Sequence, residues 1–201
     1  MESLEGKIAW VTGAGTGIGD SDAVFAVAEA IRAAFGRLDV LVNNAGTNIS
    51  DRSWQAADAR RRRPADQRQP DRCLLRGAGR ARADARTETA SWAGRFIGPV
   101  AGPAYIAAKH GMAAMSYSLN LEECANGIRS TVICPGDVAT PIMHHRPVPE
   151  TPESLARKPE DMGELIVFLA RQPKRVCTNE VVSPLYNRGY LSAMRARPGA
   201  V

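Results

Sequence analysis

The sequence predicts an α/β fold, a doubly wound parallel sheet in a single domain spanning residues 1–201. Three observations carry the prediction. Short aliphatic runs of strand length alternate with amphipathic stretches of helix length. A glycine-rich turn follows the first such run directly, the arrangement that opens a dinucleotide-binding βα unit. The closely spaced residues that bear chemistry fall at the ends of those runs, where ligands bind in open α/β sheets.

Taken in order, Lys7–Val11 (KIAWV) reads as a short buried strand running into Thr12–Gly19 (TGAGTGIG). Glycines permit a tight turn and close backbone approach to a phosphate, and a following helix offers free N–H groups and a positive dipole end. Asp22–Phe35 is helical, with an acidic start and helical apolar spacing, and Gly36 ends it. Leu38–Val42 (LDVLV) is a second strand, ending in Asn43-Asn44-Ala45-Gly46. Asp39 lies about twenty residues beyond the glycines, the usual distance of a ribose-binding acid. It sits at the amino end of its strand, though, away from the crevice, so it is expected to be a surface turn residue.

Residues 51–90 change character. They contain no Val, Ile, Met, Phe or Tyr, and eleven arginines outweigh six acids there. That excess equals the net charge of the whole chain, +5, so the basic balance belongs to one segment. No helical or strand periodicity could bury a face, and the segment is expected to be irregular. Order returns at Ser91. Tyr105–Asn126 reads as a long helix stopped at Gly127, Ile128–Cys134 as a buried strand followed by Pro135-Gly136, Pro159–Arg171 as an amphipathic helix and Val176–Ser183 as a last strand.

Composition narrows the function classes. At 201 residues and 44% hydrophobic the chain can bury a sizeable core. No apolar run reaches the length of a membrane span and no leader pattern is present, so a cytoplasmic protein without membrane attachment is expected. The four cysteines have no CxxC spacing and the three histidines do not join them, so neither a disulfide framework nor a metal site is expected. The arginine run at 60–63 would attract phosphate, but it lacks interleaved aromatics and any nucleic-acid-binding motif, so no nucleic-acid partner is expected.

Five motifs, TGAGTGIG at 12–19, NNAG at 43–46, SWAG at 91–94, YIAAK at 105–109 and CPGDVATP at 134–141, together resemble the short-chain dehydrogenase/reductase family. The resemblance covers residues 4–50 and 91–190. It implies a Rossmann-like sheet, NAD or NADP as cofactor, an alcohol or carbonyl small-molecule substrate, and assembly as a homodimer or homotetramer. Ser91, Tyr105 and Lys109 would be the catalytic residues. Gly13, Gly15, Thr16, Gly17, Ile18, Gly19, Asn43, Ala45, Gly46, Tyr105, Lys109, Pro135, Gly136 and Thr140 would contact the cofactor.

Two departures from the family pattern stand out. Gly19 and Asn43 are much closer than in relatives, as if the second and third strands and their helices were deleted. The segment at 51–90 keeps the family's length without its content, which leaves the fifth family strand and the relay asparagine without residues to build them. A reading frame shifted and later restored would explain it. The loss of about four large aliphatic side chains, each worth about 1.5–3 kcal/mol, predicts a chain that melts below about 45 °C. A non-catalytic or unstable remnant of such an enzyme is therefore the alternative to an active oxidoreductase.

The chemistry of the motif is plain. Tyr105 and Lys109, at i and i+4, share one face of a helix. Carbonyl reduction needs a proton donor as hydride arrives, and a free phenol, with pKa near 10, is a weak base for the reverse direction. An adjacent ammonium favours the phenolate. A serine hydroxyl nearby would hydrogen-bond the substrate oxygen and orient it.

Overall fold

A computed structural model describes residues 1–12, 21–44, 46, 85–95, 101–140 and 158–183. The elements are β1 (Ala9–Val11), α1 (Ser21–Phe35), β2 (Val40–Asn43), β3 (Ala85–Thr89), a 3-10 turn at Trp92–Gly94, α2 (Pro103–Glu123) with a 3-10 extension over Cys124–Asn126, β4 (Ser130–Pro135), α3 (Pro159–Ala170) and β5 (Glu180–Ser183). The five strands form one parallel sheet in the order β1-β2-β3-β4-β5. Among the described residues the strand order follows the chain without a reversal.

Period-two alternation along β4 sorts the helices onto the two faces. Ser130, Val132 and Cys134 face α2: the Ser130 and Ser116 hydroxyls meet at 2.8 Å, and Val132 and Cys134 pack with Ala90 and Ala113. Thr131 points the other way, into a crevice shared with Leu169 and Ala170 of α3. Layers on both faces explain why β2 and β4 are buried along their whole lengths. Among the described residues β1 pairs on one side only, and Val11 is 46% exposed.

Helix α2 begins at Gly102, whose φ of +83° places it in a region open to glycine but costly for other residues, and Pro103 follows at the first helical position. Its buried residues Lys109, Met112, Ala113 and Ser116 repeat at helical spacing, so one stripe faces the sheet. Gly127, at φ +78°, closes the extension by donating its N–H to the Cys124 carbonyl.

Two expectations are corrected. Residues 85–89 are not irregular: they form the strand between β2 and β4, in register with both. A central strand is made by its two neighbours' backbone hydrogen bonds, and the β-branched Thr87 and Thr89 suit the pleat even without large aliphatic side chains. Asp39 is not a surface turn residue but buried, at 6% exposure. It accepts the Ile8 N–H at 2.7 Å and the Arg37 Nε at 3.0 Å, with the Lys7 ammonium at 3.7 Å. This cluster ties β1 to β2 at the amino ends of the strands. The rest of the Arg-rich segment, residues 51–84, lies outside the described residues.

Candidate active site

The carboxyl ends of β2, β3 and β4 lead into Asn43-Asn44, Ser91 and Pro135-Gly136 respectively, so three of the sequence motifs arrive at one edge of the sheet. Asn43 is buried at the end of β2, and the Asn44 N–H donates to the Thr12 hydroxyl at 3.1 Å, which links this turn to the end of β1. The Ala90 N–H still bonds the Ile133 carbonyl at 2.8 Å, so the ladder carries Ser91 to the sheet edge before the chain turns away. The turn then closes locally. Gly94 N–H donates to the Ser91 carbonyl at 2.7 Å and Ala93 N–H to the Ser91 Oγ at 3.2 Å.

Helix α2 brings Tyr105 and Lys109 to the same edge. Lys109 is 4% exposed, an unusual state for a lysine, which is rarely buried without a charged partner. Its ammonium lies 5.5 Å from the centre of the Tyr105 ring and donates to the Met112 Sδ at 3.5 Å. The ring face attracts the cation, and the thioether is a weak acceptor. No carboxylate pairs with it among the described residues.

Two glycines make room for this lysine. A Cβ on Gly46 would sit 3.3 Å from the Lys109 ammonium, and one on Gly94 would sit 2.9 Å from the Lys109 carbonyl oxygen. At Gly94 any side chain would collide with rigid helix backbone, so the serine turn can abut α2 only because that position is glycine. The NNAG turn, the serine turn and the YxxxK helix thus converge on Lys109.

Pro135 ends β4 in the interior, and Gly136 N–H continues the ladder to the Ser183 carbonyl at 2.9 Å. Thr140 follows in the loop, its hydroxyl turned back to the Val138 carbonyl at 3.3 Å. Of the residues the sequence singles out, Ser91, Tyr105, Lys109, Asn43, Gly46, Pro135, Gly136 and Thr140 are placed by the structure. Gly13, Gly15, Thr16, Gly17, Ile18, Gly19 and Ala45 lie outside the described residues.

The sequence does not point to the polar cluster beneath the serine turn. Arg95 Nε meets Glu180 Oε1 at 3.0 Å, the Tyr117 hydroxyl donates to Glu180 Oε2 at 2.9 Å, and the Cys134 thiol lies 3.7 Å from Glu180 Oε1. Burial, with the Glu180 charge beside it, pushes the Cys134 thiol up to about 11, so it stays protonated and unreactive at neutral pH. Burial and the same carboxylate raise Tyr117 above the usual phenol value. Only the helical spacing of Tyr117 from Lys109, two turns along the same face, could have hinted at it.

Among the described residues no group of three or more His, Cys, Asp or Glu could hold a metal ion, and no helix is long and apolar enough to cross a membrane. Cys124, Cys134 and Cys177 are free thiols, the first and last exposed.

Residues 87–150 match the family model described as short chain dehydrogenase. Cis-4-hydroxycyclohexanecarboxylate dehydrogenase of Sinomonas cyclohexanicum is 32% identical over 168 residues, 77% of this chain and 67% of that protein. Among solved structures, a short chain dehydrogenase from Mycobacterium paratuberculosis bound to NAD superposes with a TM-score of 0.67 at 24% identity, covering 83% of this chain and 69% of that one. L-sorbose reductase from Gluconobacter frateurii, complexed with NADPH and L-sorbose, gives 0.64 at 22% identity over 84% and 72% of the two chains.

Proposed function

The chain belongs to the short-chain dehydrogenase family, and from that premise we propose that it is an NAD(P)-dependent oxidoreductase acting on an alcohol or carbonyl substrate. The observation that carries this reading is Lys109: a buried ammonium that, among the described residues, meets a ring face and a thioether, framed by two glycines, at the carboxyl edge of a parallel sheet. A cation left so poorly compensated suits a polar ligand that brings acceptors of its own.

The residues present fit a nicotinamide dinucleotide. Lys109 would hold ribose hydroxyls, Asn43, Ala45 and Gly46 would line the same side, and Pro135, Gly136 and Thr140 would cover the ring. The glycine turn Gly13–Gly19 would hold the pyrophosphate. When bound, the nicotinamide supplies or accepts the hydride.

Tyr105 is the general acid and base. In reduction its hydroxyl donates a proton to the substrate oxygen, and in oxidation it accepts that proton back. Lys109, beside the ring, stabilises the phenolate left behind. Ser91 donates a hydrogen bond to the same oxygen and holds the carbonyl in line.

The sequential strand order supports a second element of the reading: this sheet corresponds to the family sheet without its second and third strands. The coding DNA across residues 19–20 tests it; across 50–91 the same DNA tests the shifted frame, which fails if no other frame there encodes a Val/Ile-rich strand and an Asn-bearing helix. The function itself is tested by fluorescence titration with NADH and NADPH, followed by a panel of ketones and secondary alcohols. Saturable binding and turnover of at least one substrate are expected. No binding at millimolar cofactor overturns the proposal.

A further inference from the structure

Resting on the oxidoreductase reading, we infer that Glu180 of β5 is a positioning residue that holds Ser91 in register with the Tyr105–Lys109 helix. Glu180 belongs to none of the five motifs. It lies beside Val132 in the β4–β5 ladder, and its side chain is 17% exposed.

One carboxylate joins three parts of the site. Through Oε1 it pairs with Arg95, the residue immediately after the 3-10 turn that begins behind Ser91. Through Oε2 it accepts the Tyr117 hydroxyl of α2, the helix that carries Tyr105 and Lys109. Through Oε1 again it accepts the Cys134 thiol of β4, the residue before Pro135-Gly136. Cys134 follows Ile133, whose carbonyl receives the Ala90 N–H at 2.8 Å, the last ladder bond before Ser91. One carboxylate therefore ties the end of the serine turn, at Arg95, to β4 at Cys134 and to α2 at Tyr117.

The serine turn needs such an anchor. Ser91 lies past the last ladder hydrogen bond of β3. Among the described residues the hydrogen bonds of the turn are local, within 91–94, and Gly94 fits closely against α2. Local bonds preserve the shape of a turn but not its placement on the sheet. Tyr117 and Cys134 both keep their protons at neutral pH, so each donates and the carboxylate is the common acceptor. A hydroxyl that orients a reacting oxygen loses much of its effect when displaced by about 1 Å.

The experiment measures steady-state kinetics and cofactor affinity of wild type, Glu180→Gln, Ser91→Ala and the double variant, at 15 °C. Glu122→Gln, whose residue accepts the exposed Ser118 hydroxyl on the outside of α2, serves as a surface control. Glu180→Gln is expected to lower kcat about tenfold, with the NAD(P)H Kd within about twofold because Lys109 is untouched. In the Ser91→Ala background it is expected to change kcat no further, since its effect passes through Ser91. A kcat equal to wild type with only a lowered Tm, or losses that add in the double variant, overturns the inference and leaves the oxidoreductase reading standing. A wild-type chain that binds no cofactor and turns over nothing overturns both.

Discussion

The two ends of the sheet treat buried charge in opposite ways. At the amino end, Asp39 is compensated from every side: the Ile8 N–H, the Arg37 guanidinium and the Lys7 ammonium all converge on it. At the carboxyl end, Lys109 is as buried but meets a ring face and a thioether. A charge whose partners are complete holds a fold together. One whose partners are weak has kept its desolvation cost, and such positions mark sites built for something else to complete. The contrast teaches which end works and which end braces.

That contrast can be broken by substitution. The largest effect is expected from Tyr105→Phe, which should lower kcat by about 10²–10⁴-fold with Tm and cofactor affinity unchanged; a smaller loss would remove Tyr105 as the acid–base group. Lys109→Met should weaken NAD(P)H binding while leaving Tm unchanged or raised, because an apolar side chain replaces a poorly paired buried cation. Denaturation and titration on the same preparation check it, and a large loss of stability would make Lys109 a bracing residue after all.

Asp39→Asn should behave in the reverse sense, losing about 2 kcal/mol of stability with kcat at low temperature unchanged. The pH dependence follows from its titration. Burial alone would raise the Asp39 carboxyl, but the Ile8 N–H, Arg37 and Lys7 together hold it below its ordinary value of 3.8. A depressed carboxylate contributes stability that is present above the unfolded value and lost as pH falls through the folded one. Urea midpoints should therefore drop below about pH 4 in wild type and less so in Asp39→Asn.

The smallest effect concerns β3. It carries Thr87 in the interior where its neighbours β2 and β4 carry Leu41, Val42, Val132 and Ile133. Thr87→Val should stabilise the chain by up to about 1 kcal/mol. A loss instead would mean that the threonine hydroxyl matters to the crevice it lines beside Arg129 and Leu169.

Most of the outer frame was legible from local pattern. The aliphatic runs of β2 and β4, the helix at 21–35 and the glycine stop at 127 all sit within a few residues of their expected places. β3 was not legible. Its residues carry no periodic apolar signal, and it is a strand because two neighbours supply its hydrogen bonds. Asp39 was misplaced for a related reason: a strand-end acid looks alike whether it meets water or three donors folded onto it from the residues before β1 and from the turn before β2.

What the sequence determined alone was the identity and local spacing of the reacting groups. Tyr105 and Lys109 are brought onto one side by helix geometry, which needs no tertiary contact, and Ser91 is named by motif. Tertiary structure decided which charges are satisfied and where the serine turn sits. Gly46 and Gly94 matter through the space they leave for Lys109, and Glu180 through partners 46, 63 and 85 positions distant in the chain. Spacing along a helix is set by the backbone, while compensation of a buried charge depends on groups that only the folded sheet brings together.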